Sequence, residues 1–584
     1  IQKTYLHCPK DATAPIPIIM DIKDFFSKVR EDVSKEQFDN LAGLIVHKPE
    51  YFNWVMDIFY DLNVKKHPSS TALIWRHYAE EKRYTFEGIY SAANQFLNFL
   101  RKHGIQKGSC IYTQLPLDPA NWISTLAAIK GGLILIPAAI NLIEKDIAYR
   151  FNTIFPEVVI TDLANAEKIE VAEKILDKTV KVKILVDGER AGWHWIETIQ
   201  HEDQTAEAAQ TLADDHLFYF FTSGTTGLPK IVTHTHFTYP FGHLATASWI
   251  GMRHGDIHYN ISAPGWAKFA WSSFFAPWNM GATIFANQVD KFEAKEQLKT
   301  IEQYGITTFC APPTVLRMVI LEDLSSYHFK FRQCVAAGEP LNAEIIEKWQ
   351  QGTGIVIRDG YGQTETTCLV ANLPGAKIKY GSMGKPTFLY KVIIANDEGI
   401  EQPTFEEGNI CIKMDGQKAN GVFIDYLGEP ERKAQVFKHG LYYTGDKAYQ
   451  DEEGYIWFVG RDDDVIKASD FRIGPFEVES VLIEHESVVE TAVVASPHPL
   501  RGFAVKAFVL LRAGEMGSQD LAEALFAHCE NNLAAYKIPR IIEFVEALPK
   551  TISGKIRRVE LRAGEAERKS KQQVGAAEFF HKKY

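Results

Sequence analysis

The feature that most constrains this chain is a long alternation of short strand-like and longer helix-like segments, from about residue 70 to residue 450. Residues 109–115 are β-branched and aromatic, and helix-like residues 120–129 follow them. Residues 307–311 form another such segment, which ends at two prolines. Alternation of this kind predicts parallel β-sheets covered by helices.

The pattern changes near residue 450. Residues 447–450 and 455–459 are strand-like and flank the hairpin sequence Asp451-Glu-Glu-Gly454. Beyond them the sequence predicts a helix from Pro475, a second helix and three more strands, which make a small α+β unit. A length of 584 residues also exceeds what one hydrophobic core usually supports. We therefore predict an α/β fold with a large multi-layer N-terminal domain, residues 1–462, and a small α+β C-terminal domain, residues 463–584.

Net charge and cysteine content disfavour several classes of protein. A net charge of −11 disfavours binding to nucleic acid or anionic lipid over the whole surface. The seven cysteines are scattered and form no CxxC pair, which favours a reducing compartment and disfavours a disulfide framework or a zinc ribbon. The longest apolar run, residues 131–140, is shorter than the ~20 residues of a membrane-spanning helix. We expect a cytoplasmic protein, although a start at Ile1 instead of Met leaves room for a trimmed organelle leader.

A Gly/Ser/Thr-rich loop is the strongest local signal. It spans residues 222–230 (Thr-Ser-Gly-Thr-Thr-Gly-Leu-Pro-Lys) and follows strand-like residues 217–221. Backbone N–H groups in such a loop can converge on an anion, and hydroxyls and one lysine complete the cradle. The spacing from Gly224 through Gly227 to Lys230 is not that of a Walker A loop. A simple polar turn is the alternative, and the length of the run disfavours it.

Two later loops carry further polar groups. Gly338-Glu339-Pro340 follows apolar residues 334–337, and Asp359-Gly-Tyr-Gly-Gln-Thr-Glu365 follows a strand predicted at residues 355–357. Open α/β sheets bind ligands at the carboxyl ends of their strands. In the second loop Tyr361 offers a flat face for a base, Thr364 a hydroxyl, and Glu365 a carboxylate suited to Mg²⁺.

The C-terminal part of the chain adds three candidates. Asp446 and Arg461 flank the predicted hairpin, and a carboxylate suits a ribose diol. The run from Arg461 to Asp464 is hydrophilic and can also be a solvated turn. Lys555 ends the turn sequence Pro549-Lys-Thr-Ile-Ser-Gly-Lys555, and taken alone it is best explained as part of a basic surface turn.

In this order, the motifs closely resemble those of the adenylate-forming superfamily, which includes acyl-CoA synthetases, adenylation domains and luciferases. The resemblance covers about residues 70–560, and Ile473-Gly-Pro-Phe-Glu-Val-Glu479 resembles the medium-chain acyl-CoA synthetase branch. It implies a mobile C-terminal domain hinged at Asp463 and a reaction in two steps. A carboxylic acid and MgATP give an acyl-AMP and pyrophosphate, and the thiol of coenzyme A then displaces AMP.

The resemblance also implies a role for each matching residue. The implied catalytic residues are Lys555, Glu365, Thr222 and Lys230, with Glu365 as the Mg²⁺ ligand. The implied ATP-binding residues are Thr222, Ser223, Gly224, Thr225, Thr226, Gly227, Lys230, Gly338, Glu339, Pro340, Asp359, Gly360, Tyr361, Gly362, Gln363, Thr364, Asp446, Arg461 and Lys555. The implied CoA-binding residues are Ser469, Asp470, Phe471, Arg472, Arg501 and Arg540. Many relatives have glycine where Asp470 stands, so this carboxylate departs from the family pattern.

By the same resemblance, Trp266, Lys268 and Gly362 are expected to line the acyl pocket. Gly362 replaces a tryptophan that closes the pocket of acetate-activating relatives, so we expect room for more carbons, each worth ~0.8 kcal/mol when buried. Lys268 lies near the position where amino-acid-activating domains place a carboxylate, and its charge would repel an α-amino acid. The expected substrate is a medium-length, branched, cyclic or aromatic acid without an amino group. The alternatives are core packing for the aromatic residues of Gly265–Trp271 and Phe274–Trp278 and, for Lys268, a packed stem with a solvent-facing head.

Three functions are compatible with these residues. The chain is an acid–CoA ligase, an enzyme that makes acyl-AMP for a carrier-protein thiol or for oxidation, or a non-catalytic nucleotide-binding relative that acts through partners. No carrier-domain pattern precedes the end at Tyr584, which favours free coenzyme A. An intact set of Lys230, Glu365, Asp446, Arg461 and Lys555 disfavours the third function. The charged tail, residues 568–584, is compatible with disorder, with contact to a neighbour or with packing on its own domain.

Overall fold

The computed structural model describes residues 18–222, 229–339, 341–414, 419–468, 471–498, 502–550, 555–575 and 577–582. Several predicted site residues lie outside these ranges, namely Ser223, Gly224, Thr225, Thr226, Gly227, Pro340, Ser469, Asp470 and Arg501. The side chain of Phe471 is likewise outside the description.

The helices of the described residues are α1 (Ile22–Ser34), α2 (Phe86–Lys102), α3 (Ala120–Gly131), α4 (Glu144–Thr153), α5 (Leu163–Leu176), α6 (Thr238–Ile250), α7 (Ala267–Ala270), α8 (Ala276–Met280), α9 (Ala294–Tyr304), α10 (Pro313–Val319), α11 (Ala343–Thr353), α12 (Pro430–Val436), α13 (Pro475–Ile483), α14 (Gln519–Asn532) and α15 (Arg558–Ser570). Short 3₁₀ segments lie at Phe38–Gly43, Ile196–His201 and Leu324–Ser326, and π-helical segments at Val55–Val64 and Trp271–Phe275.

The strands are β1 (Ile18–Met20), β2 (Leu44–Val46), β3 (Thr71–His77), β4 (Glu80–Thr85), β5 (Cys110–Gln114), β6 (Ile134–Pro137), β7 (Val158–Thr161), β8 (Val182–Leu185), β9 (His194–Trp195), β10 (His216–Thr222), β11 (Lys230–Thr235), β12 (Ile257–Asn260), β13 (Thr283–Gln288), β14 (Thr308–Ala311), β15 (Gln333–Ala336), β16 (Ile357–Gly362), β17 (Cys368–Ala371), β18 (Lys385–Pro386), β19 (Val392–Ala395), β20 (Gly408–Lys413), β21 (Asp425–Tyr426), β22 (Phe437–Lys438), β23 (Leu441–Gln450), β24 (Ile456–Arg461), β25 (Ile466–Ala468), β26 (Phe471–Ile473), β27 (Val488–His498), β28 (Gly502–Leu511), β29 (Ile541–Phe544) and β30 (Glu578–Phe580).

Three large sheets, and a two-stranded parallel sheet of β1 and β2, build the described N-terminal part. The first has the strand order β21-β11-β10-β6-β5-β7-β8-β9, and the second has the order β18-β17-β16-β15-β14-β12-β13-β3-β4. Strands β5 to β9 pair in parallel, as do β12 to β16, which is the arrangement that the alternating sequence pattern predicts. The third sheet is antiparallel, with the order β19-β20-β23-β22 and with β24 paired to β23. The predicted α/β fold class is confirmed.

Helix α6 lies between the first two sheets. Every residue of α6 is buried, and the helix packs against β11 of the first sheet and β15 and β17 of the second. A helix that is buried on all sides needs no polar face, yet α6 begins with Thr238 and Tyr239 and contains His243. The helix stops at Gly251, whose φ of +70° is the left-handed conformation that glycine adopts without strain.

The small C-terminal part has its own sheet and core. Its sheet has the order β27-β28-β29-β30, and helices α13 and α14 contribute Val478, Leu482 and Leu525 to the core beneath it. Strand β30 belongs to the charged tail and pairs antiparallel with β29, so the described part of the tail covers its own domain. The boundary between residues 462 and 463 stays a prediction.

A buried ion-pair network fastens the tail to this domain. The amino group of Lys506 on β28 lies 2.7 Å from carboxylate oxygens of both Glu543 and Glu565 and 3.5 Å from one of Glu578. The side chains of Lys506 and Glu565 are completely buried. Because Glu578 starts β30, the network joins the tail strand, β28, β29 and α15.

The cysteines of the described residues are all buried and reduced. Burial raises the pKa of Cys110, Cys411 and Cys529 to about 12. No helix within the described ranges is long and apolar enough to cross a membrane.

One predicted boundary is wrong in a way that affects the site. We expected a strand at residues 355–357 with Asp359 to Gly362 in the following loop, but β16 runs from Ile357 to Gly362. The glycines at 360 and 362 suggested a loop, whereas they lie on a strand that pairs with β17, Gly360 opposite Ala371. Tertiary pairing overrides the weak strand propensity of glycine here.

Candidate active site

Strands β10 and β11 flank the predicted anion-binding loop, whose residues 223–228 lie outside the described ranges. Thr222 ends β10, Lys230 begins β11, and the two residues face each other in the antiparallel ladder. The hydroxyl of Thr222 is buried without a hydrogen-bond partner among the described residues. A buried hydroxyl without a partner is costly, and the predicted role of Thr222 in ATP binding would supply one.

Lys230 and Glu365 form a buried pair at that mouth. Their closest nitrogen and oxygen atoms are 2.7 Å apart, and the hydroxyl of Tyr426 donates to the same carboxylate oxygen at 3.0 Å. Burial by itself would raise the pKa of Glu365, but the charge and hydrogen bond of Lys230, with the bond from Tyr426, bring it below its usual value. Glu365 is therefore an ionised carboxylate at neutral pH.

A second carboxylate lies across the site on β23. Asp446 faces Arg461 in the β23–β24 ladder of the predicted hairpin, beyond a one-residue register shift between Lys447 and Ala448. The hydroxyl of Tyr361 donates to Asp446, and the side-chain amide of Gln363 donates to the same oxygen at 2.7 Å. Three of the predicted ATP-binding residues, Tyr361, Gln363 and Asp446, are thus in direct contact. Burial raises the pKa of Asp446, and the bond from Tyr361 and the charge of Arg461 oppose that shift.

The ends of β15 and β16 bring the remaining adenine candidates together. Ala336 pairs with Asp359, so Gly338 and Glu339 follow β15 directly beside β16. Gly338 has a φ of +108°, which L side chains rarely adopt, and Glu339 lies 3.2 Å from Arg317. Burial raises the pKa of Asp359 to about 8, although the Gly360 N–H and the charge of Lys268 oppose the shift.

The raised pKa of Asp359 gives a pH-dependent prediction. Burial raises the pKa of Asp359 from 3.8 to about 8 in the folded protein. Between about pH 4 and pH 8 the folded protein therefore keeps a proton on this carboxyl group that the unfolded chain has lost. The contribution of Asp359 to the free energy of unfolding is fully present below about pH 4. It decreases by up to ~1.4 kcal/mol per pH unit above that and is lost as pH rises through 8. Asp359→Asn should therefore flatten the loss of stability over this range.

Urea unfolding at several pH values, followed by tryptophan fluorescence, measures this effect, since Trp249 lies against Gly360. Asp39→Asn, at an exposed position, serves as the control. Parallel pH profiles for the wild type and Asp359→Asn would contradict the assignment.

Lys555 of the small C-terminal part reaches this cleft. Desolvation by the surrounding protein lowers the pKa of its amino group. The carboxylates of Glu339, Asp446 and Glu365 raise this pKa, and the positive charge of Arg461 lowers it. The residue that taken alone suggested a basic surface turn therefore lies within electrostatic reach of the nucleotide-site residues. Cations from both parts of the chain meet where a polyanion would bind.

The acyl-pocket candidates lie on α7 and β16. The amino group of Lys268 donates to the carbonyl oxygen of Ala337 at 2.9 Å, so its head is bonded within the protein, and burial lowers its pKa. Trp266 is half-buried at the start of α7. Phe274, Phe275 and Trp278 are core residues, as the packing alternative proposed.

The space beside Gly362 is already filled. A Cβ atom on Gly362 would lie 1.9 Å from the carbonyl oxygen of Thr367 and 2.7 Å from Cη2 of Trp271. The missing side chain therefore leaves no void next to the backbone, and the ring of Trp271 forms the wall at this point. We did not single out the role of Trp271 from the sequence.

The tight packing at Gly362 and a simple narrowing of the acyl pocket predict different results for Gly362→Ala. Contact with a backbone carbonyl forces β16 or the Thr367 segment to shift, at a cost of about 1–3 kcal/mol. We expect kcat/KM to fall about ten- to a hundredfold for short and long acids alike. Gly564→Ala, on α15 where a Cβ meets nothing within 4 Å, should leave activity unchanged. A simple shift of preference towards acetate, without general loss, would contradict this expectation.

The described CoA candidates lie on the small part of the chain. Arg472 on β26 is exposed, and its charge acts on Asp397 of the large part. Arg540 donates to the carbonyl oxygen of Ala535 at 3.1 Å, and its backbone carbonyl accepts from His581 of the tail. Asp463, the predicted hinge, lies in the turn after β24, 3.7 Å from Arg461. Their roles stay predictions.

Sequence analysis missed Tyr426, which contacts both Lys230 and Glu365. It also missed Tyr442, whose hydroxyl donates to Gln363 at 3.0 Å. Tyr442 begins the Tyr442-to-Asp446 motif and was available as a signal. Tyr426 stands alone in a two-residue strand, and nothing in its local sequence marks it.

Comparison with known proteins agrees with this geometry. The family described as AMP-binding enzyme matches residues 60–423, and the AMP-binding enzyme C-terminal domain matches residues 477–555. The chain is 45% identical to 4-hydroxybutyrate–CoA ligase 1 of Metallosphaera sedula, over 96% of this chain and 100% of the relative. It is 39% identical to the mitochondrial acyl-coenzyme A synthetase ACSM3 of Homo sapiens, over 88% of this chain and 90% of the relative.

A solved structure of the anthranilate CoA ligase AuaEII with anthranoyl-AMP superposes with a TM-score of 0.80 at 30% identity, covering 88% of this chain and 98% of that one. Two sheets and a hairpin that gather a nucleotide site define an adenylate-forming protein, and the chain belongs to the AMP-binding enzyme family. Within that family it is an acyl-CoA synthetase, the class to which the medium-chain-like motif at residues 473–479 pointed.

Proposed function

We propose that the chain is an ATP-dependent acid–CoA ligase that activates its acid as an acyl-AMP. The observation that carries this proposal is the position of Lys555, whose amino group is in the electrostatic field of Glu339, Asp446, Glu365 and Arg461. A lysine from the small part of the chain is thereby available to a nucleotide bound on the large part.

In the first step a carboxylate oxygen of the acid attacks the α-phosphorus of ATP. The bond from that phosphorus to the bridging β-phosphate oxygen breaks, and pyrophosphate leaves. Such phosphoryl chemistry depends on positioning and charge neutralisation more than on covalent help. Lys555 would stabilise negative charge between the carboxylate and the α-phosphate, while Thr222 and Lys230 would bind the β- and γ-phosphates.

The nucleoside would lie between the two sheets. Asp446, held by Tyr361 and Gln363, would accept hydrogen bonds from the ribose hydroxyls, and Arg461 would support it from the neighbouring strand. The ring of Tyr361 and the backbone around Gly338 would frame the adenine.

Mg²⁺ fits this site as an ion carried mainly by the substrate. The described residues contain no cluster of three or more His, Cys, Asp or Glu side chains able to hold a metal. Mg²⁺ bound to nucleotides commonly uses one or two carboxylates, phosphates and waters, and Glu365 supplies one buried, ionised carboxylate. When bound, the ion would neutralise phosphate charge, and Glu365 would hold it beside Lys230.

In the second step the sulfur of coenzyme A attacks the acyl carbon, the bond to the AMP oxygen breaks, and AMP leaves. Arg472 and Arg540 are our candidates for the CoA phosphates, together with the predicted positions outside the described residues. This step requires the small domain to move about Asp463, which forms part of the proposal.

For the acid we propose a medium-length, branched, cyclic or aromatic carboxylic acid without an amino group. The bonded amino group of Lys268 supports the exclusion of α-amino acids. Relatives named for 4-hydroxybutyrate and for anthranilate, an aromatic acid whose amino group is an aniline nitrogen and not an α-ammonium, indicate that this scaffold accepts acids larger than acetate. A cytoplasmic or, as for the mitochondrial relatives, an organellar location belongs to the same proposal.

A panel of acids, assayed for pyrophosphate–ATP exchange and for AMP release with coenzyme A, tests this function. We expect exchange with several acids of about four to eight carbons, and AMP release that requires coenzyme A. Exchange without CoA-dependent release, restored by a carrier-protein thiol, would change the acceptor. The absence of exchange with every acid would overturn the proposal.

A further inference from the structure

His234 on β11 contacts the segment that carries Glu365. Lys230 and His234 are four residues apart on a stretch of β11 that pairs with β10 without a register shift, so both side chains lie on one face of the strand. Lys230 contacts the carboxylate of Glu365, and Nε2 of His234 lies 2.7 Å from the carbonyl oxygen of Thr364. One face of β11 therefore holds two consecutive residues of the segment 363–365, which we call the Glu365 segment.

The partners of His234 fix the direction of both of its hydrogen bonds. A carbonyl oxygen only accepts, so Nε2 carries the proton and donates to Thr364. Nδ1 is then an acceptor, and the hydroxyl of Thr238, the first residue of α6, lies 3.2 Å from it. The backbone N–H of Thr235 donates to that hydroxyl at 3.0 Å, which leaves the hydroxyl proton for Nδ1. Burial lowers the pKa of His234 to about 4, so the ring is neutral at neutral pH.

Other elements hold the two neighbours of Thr364. The side-chain amide of Gln363 donates to Asp446, and the backbone carbonyl of Glu365 accepts from the N–H of Phe423 at 2.8 Å. Within the described ranges, His234 is the only side chain that donates to the Thr364 carbonyl oxygen. Loss of this bond would release the middle of the Glu365 segment while its two ends stay attached.

We propose that His234 is a positioning residue for the phosphate end of the site. By holding the Thr364 carbonyl, His234 keeps the Glu365 carboxylate in the orientation that would bind the Mg²⁺ of the nucleotide. This inference rests on the proposed function, in which Glu365 is the Mg²⁺ ligand. His234 is fully buried and acts through Thr364. Removal of groups that orient a metal ligand commonly changes metal affinity or activity about ten- to a hundredfold.

Two variants of His234 separate this role from simple core packing. In His234→Gln the amide nitrogen reaches the place of Nε2, so a donor to Thr364 is retained. In His234→Asn the shorter amide reaches only the place of Nδ1, so the Thr364 carbonyl loses its donor. Both replacements are neutral and polar, so neither changes the charge of the site.

His258→Asn is the matched control. His258 on β12 is also fully buried, with Nδ1 2.9 Å from the hydroxyl of Thr308 and Nε2 2.9 Å from that of Ser272. Burial lowers its pKa to about 3, so its ring is neutral as well. The hydrogen bonds of His258 run to β14 and to the π-helical segment, whereas those of His234 run to the Glu365 segment and α6. Asparagine at either position removes the contact of Nε2.

Calorimetric titration with ATP, in the absence of acid and with either Mg²⁺ or EDTA, measures the gain in ATP affinity that Mg²⁺ provides. His234→Asn should lower this gain about tenfold or more, and His234→Gln should keep it within about threefold of the wild type. His258→Asn should leave the gain unchanged. The Tm should fall in both asparagine variants, because each loses a buried hydrogen bond. The kcat of pyrophosphate–ATP exchange should fall in His234→Asn by about the same factor as the Mg²⁺ gain.

The outcomes separate this inference from the proposed function. An unchanged Mg²⁺ gain in His234→Asn would overturn the inference, whatever happens to the Tm, and so would equal losses in His234→Asn and His234→Gln. The inference also fails if the wild type binds ATP no more tightly with Mg²⁺ than with EDTA. If Mg²⁺ strengthens ATP binding but no acid supports exchange, the proposed function fails, and the binding data for the variants still decide the role of His234.

Discussion

Replacement of Lys555 by alanine is expected to lower the rate of acyl-AMP formation about a hundred- to a thousandfold. One preorganised donor at a developing charge is worth about 3–4 kcal/mol, and tenfold in rate corresponds to about 1.4 kcal/mol. In the present arrangement the carboxylates of Glu339, Asp446 and Glu365 are close enough to the amino group to raise its pKa. No other cation from the small part of the chain has been assigned to this position.

The two half-reactions distinguish a catalytic role from a structural one. Pyrophosphate–ATP exchange reports the first step, and thioester formation from supplied acyl-AMP and coenzyme A reports the second. We expect Lys555→Ala to change the second rate by less than about tenfold. Lys550→Ala is the matched control, since Lys550 lies in the same segment and pairs with Glu490 at 2.8 Å, away from the site. Equal losses in both steps would argue that Lys555 only holds the two parts together.

Lys506→Met is expected to destabilise the small domain by about 3–5 kcal/mol. Removal of one partner of a buried ion pair leaves an uncompensated charge, which is the costly case. Lys506 is the fully buried cation that Glu543, Glu565 and Glu578 share. Arg568 also pairs with the first two, and Lys569 lies 2.8 Å from Glu578, so without Lys506 three carboxylates would share two cations.

The measurement must report on the small domain itself. All tryptophans of the chain precede residue 458, so their fluorescence does not report on unfolding of the small domain. Denaturant-dependent hydrogen exchange of peptides from residues 488–550 provides the free energy of opening. Lys571→Met, which removes an exposed pair with Glu567, should cost less than about 0.5 kcal/mol. If Lys506→Met behaved like this control, the network would contribute little to stability.

The sequence could predict the parts of this site that are continuous in the chain. Their residue types indicate both a backbone conformation and a chemical role. These parts are the loop at residues 222–230, the segment that ends at Glu365, and the hairpin with Asp446 and Arg461. The hairpin predicts that β23 and β24 pair, whereas the one-residue shift between Lys447 and Ala448, which places Asp446 opposite Arg461, has no signal in the hairpin sequence. The packing of the tail could not be predicted from the sequence, because it depends on pairing with β29 and on the contact with Lys506 of β28.

What could not be predicted depends on contacts between distant segments. Tyr426 reaches Glu365 because β21 pairs with β11 at the edge of the first sheet. The space that Gly362 was expected to open is closed by Trp271, which approaches from a π-helical turn. Neither effect has a local pattern, since each is set by how two sheets pack against α6.

The buried cysteines have a consequence for an enzyme that manufactures reactive mixed anhydrides. An acyl-AMP transfers its acyl group to any accessible thiolate, and the reactive form of a cysteine is the thiolate. With the pKa of Cys110, Cys411 and Cys529 raised to about 12 and their sulfur atoms shielded, these side chains are inert at neutral pH. In the proposed reaction these residues would not be acylated by the acyl-AMP intermediate, and the thiol of coenzyme A would be the acceptor.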